Sequence, residues 1–209
     1  MSSPSIGIYI ATSLALIATP GQDMVYVITR SLAQGRFAGL CSALGVCLGI
    51  LVHTALAALG VGAIMHASED LFTALKFAGA AYLIYLGARM MFSRKAALEL
   101  GPGAAAMSPR SLVLQGVLSN VTNPKIVLFF FAFLPQFVDP ASAHPTRDLV
   151  VLGALYAAMA LPVKAAVGLA AGGLGEAMLG KPGVLAWMNR VCGALLVGLG
   201  LRLATFDRV

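Results

Sequence analysis

Residues Leu112–Leu134 read LVLQGVLSNVTNPKIVLFFFAFL. A bilayer-spanning helix takes about 20 mostly apolar residues, and this run is long and apolar enough to be one. Yet Asn123-Pro124 stands inside it, and Lys125 follows close to its middle. Proline has no N–H to close a helical hydrogen bond, so the helix is interrupted there. An ionised side chain at such a depth costs about 2.5–3.5 kcal/mol on insertion scales, so it faces a cavity or a partner.

A second run carries the same fault. Ile6–Ile28 reads IGIYIATSLALIATPGQDMVYVI, interrupted at Thr19-Pro20-Gly21 with Asp23 just beyond. An aromatic residue follows each proline at the same spacing, Tyr26 after Pro20 and Phe130 after Pro124. Four further apolar stretches qualify as spans: Ala38–Met65, Leu71–Phe92, Leu149–Ala171 with Pro162 inside, and Leu185–Ala204. The two aqueous connections of any length are Ser93–Arg110 and Pro135–Asp148. The expected fold is an all-α integral membrane protein of six transmembrane helices. They form two inverted three-helix repeats, at about 5–92 and about 112–205, around a basic loop at about 93–111. Residues 1–209 make one membrane domain. Three spans per half force the halves into opposite orientations. Inverted repeats whose broken helices correspond are the sequence pointer to a secondary transporter's binding site. Ordinary proline kinks are the alternative, and their recurrence at one place in both halves weighs against it.

Composition agrees. Of 209 residues, 59% are hydrophobic and 11% charged, against roughly 25% charged in soluble domains. So few charges cannot cover a soluble surface, and the net charge of +6 reads as loop charge, not as a nucleic-acid groove. The side that receives Arg30, Arg36, Arg89, Arg94, Lys95, Arg110, Lys181 and Arg190 is expected to be cytoplasmic. The other receives Lys76, Arg147, Arg202 and Arg208, and both termini then lie on the periplasmic side. No Lys or Arg precedes Arg30, so the first apolar stretch is expected to be a retained span and not a signal peptide. Cys41, Cys47 and Cys192 show neither CxxC nor zinc spacing and read as small buried residues. No metal and no cofactor is expected. Neither a Walker motif nor GxSxG occurs, so the chain is expected to carry no ATP engine and not to be an enzyme.

Four ionisable residues fall within spans: Asp23, His53, Lys125 and Lys164. If the halves pack about a pseudo-two-fold axis, Asp23 and Lys125 face one cavity. That cavity suits a zwitterion, with Lys125 and a half-helix N-terminus for a carboxylate, and Asp23 and freed carbonyls for an ammonium. Gly21 leaves room there, and Asn123 offers an amide to backbone groups freed by the break. The candidate substrate site is Pro20, Gly21, Gln22, Asp23, Asn123, Pro124, Lys125 and Lys164. Asp23 and His53 are the candidates for proton coupling, since histidine titrates near neutral pH. The alternatives are a structural ion pair between Asp23 and Lys125, a solvated Asp23 near the interface, and a hydrogen-bonded core histidine. Small-xxx-small pairs, Gly45 with Gly49, Gly168 with Gly172 and Ala194 with Gly198, allow close helix approach. Packing within the chain is the default reading of these, and a homodimer interface the sharper one.

Four motifs in order carry a family resemblance. Thr19-Pro20-Gly21-Gln22-Asp23-Met24-Val25-Tyr26-Val27 with Arg30-Ser31-Leu32-Ala33-Gln34-Gly35-Arg36 resembles the first-span signature of the LysE/RhtB amino-acid exporters. Ala43-Leu44-Gly45 through Leu51-Val52-His53-Thr54 is similar to that family's second span. Phe77-Ala78-Gly79-Ala80-Ala81-Tyr82-Leu83-Ile84-Tyr85-Leu86-Gly87 is similar to its third. Asn123-Pro124-Lys125 with Phe129-Phe130-Phe131-Ala132-Phe133-Leu134-Pro135-Gln136-Phe137 resembles its second-half signature. Gln22 departs from the family's frequent Thr-Pro-Gly-Pro. The resemblance implies efflux of amino acids or close derivatives across a bacterial inner membrane, driven by the proton-motive force. The implied partners are the amino-acid substrate, protons and membrane lipid, with no nucleic acid. A single internal Asp leans toward neutral amino acids. A passive facilitator and a membrane assembly subunit are the competing readings.

Overall fold

The computed structural model describes residues 3–67, 69–92, 106–139, 142–174 and 182–205. Arg94, Lys95, Lys181, Arg208 and the side chains of Lys76, Cys192 and Arg202 lie outside the described residues. All regular structure among the described residues is helical. The first broken run forms α1 (Ser3–Ala18) and α2 (Gln22–Gln34). They are followed by α3 (Arg36–Ala67), α4 (Glu69–Phe92), α5 (Pro109–Val121) and α6 (Pro124–Leu128). A π-helical turn, Phe129–Phe133, and a 3-10 turn, Leu134–Phe137, continue α6. The chain ends in α7 (Pro145–Leu174) and α8 (Pro182–Thr205).

Local chemistry sets these limits. Pro20 removes the N–H that would carry α1 onward, and Gly21 caps α2 in an extended conformation. Gly35 closes α2 at φ 85°, and its N–H bonds Ser31 O at 2.8 Å. That positive φ suits glycine, which has no Cβ to clash. Ser108 caps α5, its Oγ accepting the Ser111 N–H at 3.3 Å, with Pro109 in the first turn. At Pro124 the chain bends by 54° between α5 and the segment Pro124–Phe137. Pro162 behaves differently: α7 runs through it unbroken.

Among the described residues, Arg36–Gly60 and Pro145–Gly173 are each long and apolar enough to cross a membrane. The bent pair Pro109–Val121 and Pro124–Phe137 makes a third if it is one span. The face pattern of α3 fits lipid. Leu44, Leu48, Leu51, Leu56 and Leu59 point outward, while Ala43, Val46, Ile50 and Ala57 are buried. Both faces are apolar, as expected for a helix between lipid and a protein core. This is a membrane protein.

Small residues set the helix packing. α3 runs antiparallel to α7, with Gly39 on Gly168 near one end and Thr54 on Gly153 near the other. It runs parallel to α5, with Gly45 on Val113 and Gly49 on Asn120. α4 runs antiparallel to α8, with Gly87 on Gly193 and Ala80 on Gly200. A Cβ at Gly45 would collide with the Val113 carbonyl, which is backbone and cannot move aside. Gly45, Gly49, Gly168 and Gly172 therefore all pack within the chain. Gly198 differs, since a Cβ there would meet nothing within 4 Å among the described residues. Gly45→Val should therefore destabilise the protein by about 1–3 kcal/mol, the usual cost of overpacking, while Gly198→Val should cost little. Thermal unfolding of the two variants in detergent checks the contrast; equal stability would contradict this packing.

Candidate functional site

The two breaks meet. Gln22 Nε2 donates to Thr122 Oγ1 at 3.3 Å, and next to it the Asn123 amide donates to the Asp23 carboxylate. Residues a hundred apart in sequence thus face each other in consecutive pairs. Asp23 sits in the first turn of α2, where the helix dipole favours a negative charge. The Asn123 Oδ1 accepts the Lys125 N–H at 3.1 Å, so one side chain both caps α6 and holds the carboxylate.

Two lysines complete the cluster. Lys164 Nζ lies 3.4 Å from Asp23 Oδ2 and 3.4 Å from the Ile17 carbonyl, to which it donates. Lys125 Nζ donates to the carbonyls of Leu16, at 3.2 Å, and Thr19, at 3.1 Å. It is also within electrostatic reach of Asp23. Asp23, Asn123, Lys125 and Lys164 are all buried, at 4% exposure or less, so Asp23 is not a solvated interfacial residue. Gly21 makes the room: a Cβ there would stand 3.0 Å from Lys125 Nζ. A buried set of one carboxylate and two ammonium groups, when all are ionised, carries one more positive charge than negative. Such a set favours a ligand that brings a carboxylate.

Of the residues named from sequence, Gln22, Asp23, Asn123, Lys125 and Lys164 are joined in this network, with Pro20, Gly21 and Pro124 forming its backbone. Asp23 forms an ion pair with Lys164, a residue that the sequence named for the site without assigning it a partner. His53 is buried on α3, its Nε2 3.2 Å from the Asn120 carbonyl and its ring 5.8 Å from that of Phe130. No group of His, Cys, Asp and Glu among the described residues could hold a metal ion.

The sequence reading missed two contributors. One is the identity of the freed carbonyls, which the sequence reading expected without naming: Leu16, Ile17 and Thr19, all bonded to lysine nitrogens. Counting four residues back from Pro20 finds the first of them. The other is Tyr156, fully buried two helical turns before Lys164 on α7. Its hydroxyl has no hydrogen-bond partner among the described residues and lies within electrostatic reach of Asp23. Its ring packs on Phe129 at 4.8 Å and Phe130 at 5.6 Å, in an aromatic layer that includes Tyr9 and Phe133.

Lys164→Met should destabilise the protein by about 3–5 kcal/mol, because it takes an ion-pair partner from a buried carboxylate. Adding Asp23→Asn should restore part of that loss. A thermal-unfolding comparison of the single and double variants checks this, and a double variant no more stable than Lys164→Met would count against the pair.

Residues 14–206 match the family described as LysE type translocator. The chain is 34% identical to an uncharacterized membrane protein of Pseudomonas aeruginosa, over 97% of this chain and 98% of that one. It is 28% identical to a leucine efflux protein of Salmonella typhimurium, over 95% of this chain and 94% of the relative. It is 32% identical to a homoserine/homoserine lactone efflux protein of the same organism, over 68% of this chain and 69% of the relative. No solved structure matches.

Proposed function

The chain belongs to the LysE type translocator family, and from that premise we propose that it exports amino acids or close derivatives across the bacterial inner membrane. The observation that carries this reading is the meeting of two proline breaks in one buried cluster of Asp23, Asn123, Lys125 and Lys164. A free amino acid brings one ammonium and one carboxylate, the two groups this cluster is built to pair. Neutral amino acids are favoured, since Asp23 is the one buried carboxylate among the described residues. The efflux relatives are named for leucine and homoserine, whose side chains are uncharged.

The architecture we infer is six spans in two inverted three-helix repeats. α1 with α2 makes the first span, and α5 with Pro124–Phe137 makes the fourth. Support comes from helix directions. α3 packs antiparallel on α7, and α4 on α8, as corresponding members of inverted repeats would. Arg36 at the start of α3 and Arg110 at the start of α5 then lie on one side, since these helices run parallel. Taking that side as cytoplasmic puts both termini in the periplasm.

Transport proceeds by alternating access around the breaks. The freed carbonyls and Asp23 already hold lysine ammonium groups. An incoming substrate ammonium competes for Asp23 and a carbonyl, and the displaced lysine turns to the substrate carboxylate. Rocking of the halves then exposes the site to the other side. The proton-motive force drives export, with Asp23 and His53 as the groups to carry the coupling proton.

Purified protein in proteoliposomes should accumulate labelled leucine or homoserine when a pH gradient is imposed and lose that accumulation with an uncoupler. Lys125→Met and Asp23→Asn should each slow transport by about tenfold or more, the loss expected when a charge-assisted bond worth about 1.5–3 kcal/mol is removed. Wild-type rates in both variants, shown to be folded, would remove the cluster from the mechanism.

A further inference from the structure

A proline at position i leaves the carbonyl at i−4 without its helical donor. For Pro20 that carbonyl belongs to Leu16, and for Pro124 to Asn120. The structure treats the two alike. The residue before each proline reaches back to it: Thr19 N–H is shared between Ala15 O at 3.0 Å and Leu16 O at 3.3 Å, and Asn123 N–H bonds Asn120 O at 2.9 Å. Each carbonyl then takes a second donor from a side chain of the other half of the chain. Lys125 Nζ reaches Leu16 O at 3.2 Å, and His53 Nε2 reaches Asn120 O at 3.2 Å. The second half caps the break of the first, and the first half caps the break of the second.

The chemistry fixes the tautomer. A carbonyl oxygen only accepts, so Nε2 carries the hydrogen. His53 Nδ1 is buried and has no hydrogen-bond partner among the described residues. The neighbouring contacts hold the ring in place. Gly49, one turn before His53, lies directly against the Asn120 side chain, and Phe130 lies beside the imidazole. Bilayer depth offers no water to a freed carbonyl, so the donor must come from protein.

We propose that His53 is the positioning residue of the second break, donating its Nε2–H as the second donor to the carbonyl that Pro124 deprives of its helical one, and so fixing the turn that presents Asn123 and Lys125 to Asp23. This structural task is additional to the proton coupling proposed above for Asp23 and His53 and does not depend on it. It rests on the reading of the two breaks as the substrate site, because only then does fixing this turn bear on transport.

A double-mutant cycle with Pro124→Ala tests it. Alanine at 124 restores an N–H that can take the Asn120 carbonyl, so His53 becomes dispensable for that bond. His53→Leu removes the donor and keeps the apolar bulk. His53→Gln keeps an N–H donor and cannot titrate near neutral pH. The readout is the melting temperature of purified full-length protein in detergent. His53→Leu should lower it by about 5 °C in the natural background and by less than half as much in the Pro124→Ala background. His53→Gln should stay within about 2 °C of the unaltered protein. An equal loss from His53→Leu in both backgrounds would overturn the proposal, since simple core packing or proton carriage has no reason to depend on residue 124. If His53→Leu alone does not fold, recovery of folded protein on adding Pro124→Ala supports the proposal, and no recovery overturns it. Melting needs no substrate, so a failure of this chain to move leucine would be seen separately and would leave the cap intact.

Discussion

Two backbone carbonyls set the terms for this molecule. Pro20 and Pro124 each take away the N–H that would satisfy the carbonyl one turn earlier in a continuous helix. These carbonyls and their neighbours take donors from across the structure: Lys125 bonds Leu16 and Thr19, Lys164 bonds Ile17, and His53 bonds Asn120. Each bond ties one half of the chain to the other. What would be a weakness in either helix alone becomes the joint between them.

The joint gathers charge. Lysines drawn to the carbonyls stand beside Asp23, which Asn123 holds against the second break. Taking three ionised groups out of water is expensive, and their attraction offsets that only with good geometry and full hydrogen bonding. A set of this kind is a poor device for stability, which fits the recognition role proposed for it. It also makes the cluster responsive, because a ligand bearing the same two charged groups competes for the same bonds. Around it, glycine contacts along α3, α5 and α7 bring the backbones close enough for side chains to reach across. Ser31 on α2 adds a hydroxyl bond to the Gly168 carbonyl of α7.

Much of this could be read from the chain. The breaks, their correspondence and the buried Asp23, Lys125 and Lys164 all follow from apolar runs that polar residues and proline interrupt. Helical structure followed from run length and composition. The pairing of charges was harder. Asp23 and Lys125 follow matching prolines, and Lys164, arriving from α7, joins them as an ion-pair partner of Asp23. Its approach depends on how α7 crosses α2 and α3, and spacing along one helix carries no such information. Gln22 looked like a loss, a proline missing from a familiar pattern, but its amide reaches Thr122 in the opposite break. The role of Tyr156 was hidden because a tyrosine in an apolar helix looks like any aromatic core residue. The π-helical turn Phe129–Phe133 was likewise hidden, since no residue in FFFAF demands it.

In the proposed mechanism the two breaks part as the halves rock. The direct measurement replaces Gln22 and Thr122 with cysteine in a chain whose own cysteines are replaced, and bridges them with a short bis-methanethiosulfonate reagent. Leucine transport in proteoliposomes is followed before bridging, after bridging and after reduction. Efficient bridging, arrest of transport and recovery on reduction are the expected results. Efficient bridging with transport unchanged would contradict that mechanism.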